Sequence, residues 1–481
     1  LQAVMKLTLQ GHDERYLIET LALLFFPAAG FSAQLEDGLS ATSRLEGRTA
    51  FTSITAHGVS ASAQDEARPD EQPAAALARS FYQAGAQLTG ISPPWGTLTG
   101  IRPAKLVRRL LDAGLTEQQA AQKLLLDCYT APEKTMLCAG VLRSEQEALS
   151  LLNPRAVSIY VGIPFCPSRC SYCSFVSHSV EKEGRFIPAY VQALMEEMEQ
   201  TLAALAQAGI PVQSVYMGGG TPTTLTADQL RDVLGLFSKY LDVGALSEFT
   251  VEAGRPDTIT ADKLEAIVES GADRISVNPQ TTDDDTLRRI GRTHSAQDFF
   301  DCFALARTYP FQVVNVDLIA GLPGEPVASF QKSIEEVAAL RPENLTVHSL
   351  SLKRAARLEY KDMDRSRQGA NDIFAMLETT SRVTHEAGYT PYYLYRQRNT
   401  LGNLENVGYA LPHTQGLYNV YIMGEYQSIV AMGAGGVSKV VGLPGGKIER
   451  VFHNKHFHEY IRDKEKLRHN TKTLLSLLQS I

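Results

Sequence analysis

Three cysteines, Cys166, Cys170 and Cys173, stand in C-x3-C-x2-C spacing within Tyr160-Val161-Gly162-Ile163-Pro164-Phe165-Cys166-Pro167-Ser168-Arg169-Cys170-Ser171-Tyr172-Cys173, on a short loop bounded by proline. Deprotonated cysteines can hold an iron–sulfur cluster, and a cubane of four irons normally takes four of them. Three would leave one iron open, where an amino acid with adjacent amine and carboxylate could chelate. Zinc is the competing reading, but a structural zinc site draws on a fourth Cys or His, and the nearest His, His178, lies five residues past Cys173. A disulfide fits poorly, because three cysteines cannot pair off and Cys128, Cys138 and Cys302 are scattered.

From Val157 onward the chain alternates strand and helix. Strands are expected at Ser158 to Gly162, Ser214 to Met217, Glu248 to Glu252, Arg274 to Val277, Val313 to Asp317 and Asn344 to His348. Between them lie apolar-periodic stretches, Tyr190 to Ala206, Ala227 to Tyr240, Ala261 to Ser270, Ala296 to Arg307 and Val327 to Ala339. This pattern predicts an α/β fold, a partial or full TIM-like (β/α) barrel with helices outside a parallel sheet. Ligands of such sheets sit at the carboxyl ends of the strands. There the chain places the cysteines, then Gly218-Gly219-Gly220-Thr221-Pro222-Thr223, Glu252, Asn278-Pro279-Gln280, and Asp317-Leu318-Ile319-Ala320-Gly321-Leu322-Pro323-Gly324. Each alone could be a tight turn, a helix cap or a structural ion pair. Together they outline one polar rim.

Residues 1–152 read as a separate domain, first α/β and then helical. Strands are expected at Lys6 to Leu9 and Arg48 to Ile54, a helix at Tyr16 to Phe26, a turn or linker over Ser60 to Pro73, and a helix over Ala74 to Gln87. Helical composition runs from Pro103 to Leu152, broken and recapped at Gly114-Leu115-Thr116. Trp95, the only Trp, is expected at a packed inter-domain corner. Residues 153–390 would be the barrel and 391–481 a substrate-covering region. In the latter, Gly433-Ala434-Gly435-Gly436 signals close backbone approach, to a large ligand or to the sheet edge, and His453, His456 and His458 are expected in exposed or capping positions.

The bulk numbers exclude several classes. With 44 % apolar and 21 % charged residues in 481, the chain is globular, with room for two or three cores. A net charge of −7 offers no general attraction to nucleic acid or to an anionic membrane, and the basic run Arg102 to Arg109 reads as a solvated helix face. The longest apolar run, Leu21 to Ala29, is too short to span a bilayer, and no basic-then-apolar leader precedes it. A cytoplasmic protein with reduced thiols is expected. Residue 1 is Leu, so the start is expected upstream or altered.

The three-cysteine loop followed by the glycine run resembles the radical S-adenosylmethionine proteins. Residues 155–440 are similar to the oxygen-independent coproporphyrinogen III oxidase family, through Tyr160-Val161-Gly162-Ile163-Pro164-Phe165-Cys166, Gly218 to Thr223, Gln280 with Arg292, and Asp317 to Pro323. The N-terminal extension, Pro94-Trp95-Gly96 and His348-Ser349-Leu350-Ser351-Leu352-Lys353-Arg354 bring the whole chain closest to the coproporphyrinogen dehydrogenase, or HemZ-type, branch. The resemblance implies a [4Fe–4S] cluster on Cys166, Cys170 and Cys173. It implies Tyr172 against the adenine of S-adenosylmethionine, Tyr160 and Gly219 lining it, and Glu252 as a ribose or amine contact. Gly220, Thr221, Gln280, Arg292 and Asp317 would meet a second S-adenosylmethionine.

The implied reaction abstracts a hydrogen from a propionate β-carbon of coproporphyrinogen III and releases carbon dioxide, leaving a vinyl. A low-potential donor such as flavodoxin or ferredoxin would supply electrons, and no general base is called for. Lys353, Arg354, Arg357, Arg396 and Arg398 are the candidates for holding the tetrapyrrole carboxylates. Two departures stand out. The oxidase proper has a further Cys two residues after its third ligand, where this chain has Ser174-Phe175; a Phe there belongs to the heme chaperone branch. That branch carries a His-Asn-x-x-Tyr-Trp heme string, and Leu417-Tyr418-Asn419-Val420-Tyr421-Ile422-Met423 lacks its His and Trp. Heme handling, or heme opening by a radical methyltransferase relative, are the alternatives.

Overall fold

The computed structural model describes residues 4–27, 29–32, 38–100, 102–173, 177–351, 367–397 and 400–481. The chain folds as two units, one of Leu1–Leu142, Met363–Phe374 and Leu394–Glu405, the other of Arg143–Asp362, Ala375–Tyr393 and Asn406–Ile481.

In the first unit β1 (Val4–Gln10), β2 (Gly30–Ser32), β3 (Leu39–Glu46), β4 (Thr49–Ala56) and β5 (Val59–Glu66) form a sheet in the order β2-β1-β3-β4-β5. The helices Arg15–Phe25 and Pro73–Thr89 bury Ile18, Leu21, Phe25, Leu77 and Phe81 with Met5, Ala50 and Ile54 of the strands. Strand β5 corrects the linker expected over Ser60 to Pro73. Its residues are small or polar after Val59, so no apolar period marks them. Pairing with β4 across His57-Gly58, both in the left-handed region at φ 50° and 81°, makes them an edge strand. The helices Pro103–Asp112, Glu117–Asp127 and Pro132–Ser150 follow, the second opened by a capping box of Thr116 and Gln119. Trp95 is buried within this unit, its Nε1 donating to Glu405 Oε2 at 2.7 Å.

The second unit holds β6 (Val157–Ile163), β7 (Phe165–Cys166), β8 (His178–Ser179), β9 (Val212–Gly219), β10 (Glu248–Gly254), β11 (Arg274–Val277), β12 (Val313–Ala320) and β13 (Asn344–Ser349). Strands β6, β9, β10, β11, β12 and β13 are the six expected ones, hydrogen-bonded in parallel in that order. The helices Ile187–Gln207, Ala227–Tyr240, Ala261–Glu269, Ala296–Ala306 and Val327–Ala339 lie between them in sequence. Burial on both faces explains why β6 reads as a mostly apolar run, whereas β11 buries Arg274 and Ser276 as well as Ile275 and Val277. Later strands β14 (Thr390–Arg396), β15 (Glu405–Ala410), β16 (Ser428–Met432), β17 (Val437–Leu443) and β18 (Lys447–Phe452) extend the sheet to β14-β15-β13-β12-β11-β10-β9-β6-β16-β17-β18. Among the described residues this order does not close on itself. No described helix is long and apolar enough to cross a membrane.

Strand β16 runs parallel to β6, from Ser428 beside Val157 to Met432 beside Val161. Gly433 follows at φ 98°, and a Cβ there would stand 2.5 Å from Gly162 O, so this glycine run meets the sheet. Buried Glu197 ties the region together: Gly433 N donates to it at 3.0 Å, as does the Tyr460 hydroxyl, and His453 Nε2 lies 2.5 Å away. His453 is therefore buried, which corrects its expected exposed or capping position. Burial disfavours its charged form, but the Glu197 carboxylate outweighs that and holds His453 above its ordinary value.

Replacing Glu197 by Gln is expected to cost roughly 3–5 kcal/mol in urea unfolding, the usual loss when one partner of a buried pair is removed. For His453, whose folded value is raised, the contribution is complete below the ordinary value of 6.5 and disappears as pH climbs through the raised one. The gap in urea midpoint between wild type and His453→Gln should be wide at pH 6 and narrow by pH 9.

Candidate functional site

The carboxyl end of β6 is the starting point. Its ladder with β9 runs to Ile163 beside Gly219, and beyond it Gly220 N donates to Ile163 O at 2.7 Å and Thr221 N to Phe165 O at 2.8 Å. These bonds press the glycine run against the cysteine loop. A Cβ on Gly220 would lie 2.5 Å from Phe165 O and 3.0 Å from Cys166 Sγ, and Gly219 adopts φ 110°, so both positions call for glycine. Thr221 Oγ1 lies 3.5 Å from Cys166 Sγ. The loop is held at its far side by Ser171 N and Ser168 Oγ, which donate to Ile290 O and Gly291 O at 3.0 and 3.2 Å, and at its end by the short β7–β8 pairing.

None of the three loop cysteines is in a disulfide; Cys166 and Cys170 are buried and Cys173 half-buried. Among the described residues no three His, Cys, Asp or Glu side chains converge on a single-ion position. A cubane asks for no such convergence, since each thiolate takes its own corner iron. Three thiols on one loop with no disulfide among them, beside a backbone that leaves no room for a Cβ, fit a cluster with one iron open to an amino acid.

The other candidate residues connect to this loop in two chains of contacts. In one, Tyr160, Tyr216 and Tyr418 stack, with Tyr216 and Tyr418 centroids 4.6 Å apart, and the Tyr216 hydroxyl donates to Glu252. Burial, reinforced by the charge of Asp317, pushes the Glu252 carboxyl up to about 7. In the other, Arg292 Nη2 donates to Tyr172 Oη at 3.1 Å and its Nη1 to Asn278 O at 2.5 Å. Asn278 Oδ1 accepts from Asp317 N at 3.2 Å, and Gln280 N donates to Asp317 O at 3.1 Å. Gln280 sits at φ 73°. Its carbonyl accepts from Ile319 N at 2.9 Å, which ties it to β12.

Several contacts were not foreseen. Arg255 reaches the cysteine loop, Asp257 clamps Arg255, and Tyr216 and Tyr418 complete the aromatic stack. Arg255 directly follows the end of β10, so the strand-end rule that found Glu252 could have found it. Tyr418 comes from the helix Leu417–Gly424, far along the chain, and carries no such signal. One candidate is corrected. Arg396 is buried in the first unit, its Nε donating to Asn403 O at 3.1 Å, its Nη1 to Leu98 O, and its guanidinium 5.3 Å over the Trp95 ring. It is a packing residue there rather than a carboxylate clamp. Lys353, Arg354, Arg357, Arg398 and the Ser174-Phe175 pair lie outside the described residues.

Comparison with known proteins adds the following. The Radical SAM superfamily profile matches residues 160–337. The oxygen-independent coproporphyrinogen-III oxidase-like protein HemZ of Bacillus subtilis is 40 % identical over 397 residues, 82 % of this chain and 78 % of that one. The heme chaperone HemW of Bacillus subtilis is 37 % identical over 194 residues, 40 % of this chain and 50 % of its own length. Among solved structures, coproporphyrinogen III oxidase (HemN) of Escherichia coli, a radical SAM enzyme, aligns with a TM-score of 0.51 at 22 % identity, covering 66 % of this chain and 72 % of that one, which is a likeness of fold.

Two outcomes follow from this geometry. Gly220→Ala should lower the iron and sulfide bound per chain on anaerobic reconstitution, measured chemically. For Glu252, raised from 4.5 to about 7, stability is full below pH 4.5 and falls as pH rises to about 7. Cofactor-free Glu252→Gln should therefore resist urea better than wild type at pH 8 and equally at pH 4.5.

Proposed function

Because the chain belongs to the oxygen-independent coproporphyrinogen III oxidase-like family of the radical S-adenosylmethionine superfamily, we propose that it oxidatively decarboxylates propionates of coproporphyrinogen III to vinyls, giving protoporphyrinogen IX. Proteins of this superfamily use a [4Fe–4S] cluster and S-adenosylmethionine. The observation that carries the reading is the seam at the ends of β6 and β9, where a loop of three cysteines without a disulfide begins against a glycine cradle, in a chain 40 % identical to the oxidase-like relative.

When bound, the cluster and S-adenosylmethionine supply a carbon-centred radical that removes one hydrogen atom from a propionate β-carbon. Loss of carbon dioxide and of one further electron to an acceptor then leaves the vinyl group. The chain's own residues bind, orient and shield. Cys166, Cys170 and Cys173 hold the cluster. Gly219 would let backbone groups approach the cluster-bound S-adenosylmethionine without side-chain interference. Tyr172, oriented by Arg292, would pack on the adenine, and Tyr160 would line the bound S-adenosylmethionine. Glu252, with a carboxyl that titrates near neutrality, donates or accepts a hydrogen bond to a ribose hydroxyl or the amine. The stacked tyrosines beside it exclude water from the reacting carbon. Gly220, Thr221, Gln280, Arg292 and Asp317 would serve a second S-adenosylmethionine. We place the protein in the cytoplasm with a flavodoxin or ferredoxin as donor, in keeping with six cysteines of which none forms a disulfide.

A second reading, heme delivery, draws on the 37 % identity to the chaperone over 194 residues. One experiment separates them. Anaerobically reconstituted protein is given dithionite, S-adenosylmethionine and coproporphyrinogen III, and is titrated separately with heme. Deoxyadenosine with mono- and divinyl products is expected; deoxyadenosine alone, with tight heme binding, would favour delivery. Cys170→Ala should yield neither the cluster absorbance nor deoxyadenosine, and persistence of cleavage would remove the assignment of the loop.

A further inference from the structure

Arg255 has no part in the proposed reaction, yet it is buried and all its nitrogens have work. Its Nε and Nη2 donate to the two oxygens of Asp257 at 2.9 and 2.6 Å, and Nη2 also to Thr293 Oγ1 at 2.9 Å. Thr293 in turn donates to Asp257 at 2.6 Å, which fixes the carboxylate that fixes the guanidinium. That bidentate clamp leaves Nη1 aimed at the cysteine loop. It donates to Ser168 Oγ at 2.8 Å and Ser168 O at 3.3 Å, and lies 3.8 Å from Cys170 Sγ. A planar fork clamped at one edge presents its free edge in a fixed direction, which a lysine in this place would not do.

We propose that Arg255 tunes the cluster, raising its reduction potential by directing an N–H and a positive charge at the Cys170 sulfur. The inference rests on the reading of the loop as a [4Fe–4S] site. Reduction adds one electron, from a low-potential carrier, to a cluster whose thiolates are already anionic. A donor to one of those sulfurs stabilises the reduced state more than the oxidised one, and hydrogen bonds to sulfur together with local charge are among the terms that set such potentials. Asp257 limits the Coulomb part by neutralising the guanidinium, so the directed N–H is the larger contribution. The trade is chemical: an electron held at higher potential enters the cluster more readily and drives cleavage of the sulfonium with less force.

The test uses full-length protein reconstituted anaerobically and titrated electrochemically, with the reduced cluster followed by EPR in the absence of S-adenosylmethionine. Arg255→Met at full iron content should give a midpoint shifted to more negative potential, with less cluster reduced by a mild donor and undiminished deoxyadenosine per electron under dithionite. An unmoved or more positive midpoint at full iron content would overturn the proposal. Should that variant take up too little iron, wild-type protein carrying 15N-arginine decides: a nitrogen coupling to the reduced cluster in pulsed ENDOR is expected, and its absence refutes the contact. Wild type that shows no [4Fe–4S] signal at all would instead sink the reading of the loop, leaving a different fault from a cluster that forms but ignores Arg255.

Discussion

The second unit depends on a few backbone hydrogen bonds where β6 and β9 end. A parallel ladder would ordinarily stop once its strands diverge into their loops. Here it is prolonged by Gly220 N to Ile163 O and Thr221 N to Phe165 O, so two loops behave as one wall. Only residues without a Cβ can stand there, because the carbonyls of Ile163 and Phe165 and the sulfur of Cys166 occupy the space. The cysteine loop is thus positioned by main chain on one side and by Ser168 and Ser171 on the Ile290-Gly291 turn on the other. Rigid support of this kind suits ligands that must bind a cluster at fixed spacing.

Around this wall the polar groups are arranged so that few charges face one another unshielded. Arg292 spends its donors on a phenol and a carbonyl, and Glu252 takes a phenol as partner. Arg255 is neutralised by Asp257. The tyrosines do double duty: Tyr216 and Tyr172 meet Glu252 and Arg292 through their hydroxyls, and the rings of Tyr160, Tyr216 and Tyr418 stack.

Much of this was legible in the sequence for a physical reason. Short β-branched and aromatic-rich segments recur with an apolar-periodic helix after each, so the six strands from Val157 to Ser349 announced themselves, and their ends located the cysteines, the glycine run, Glu252, Gln280 and Asp317. What escaped lacked a period or a neighbour. Strand β5 is built of small and polar residues and exists because β4 offers it an edge. Tyr418 reaches the stack from a helix far from any strand-end motif. His453 looked like a surface residue because its partner, Glu197, is distant in sequence and sits on a helix whose other acids, Glu196 and Glu199, are half-buried and paired with surface lysines. Arg396 looked like a carboxylate ligand because its neighbours in sequence are aromatic and basic, whereas its contacts are carbonyls and an indole ring.

The parallel pairing of β16 with β6 has a consequence for how the protein is made. One edge of β6, the strand that leads into the cysteine loop, has its partner at residues 428–432. A chain emerging from its amino terminus can lay β9 against β6 early but must leave the opposite edge bare until nearly all of the polypeptide exists. Contacts that span such a sequence distance are slow to form. Glu197 likewise waits for His453 and Tyr460. The order of synthesis therefore leaves this edge of β6 unpaired until late, and a truncated product lacks the strand that completes the sheet.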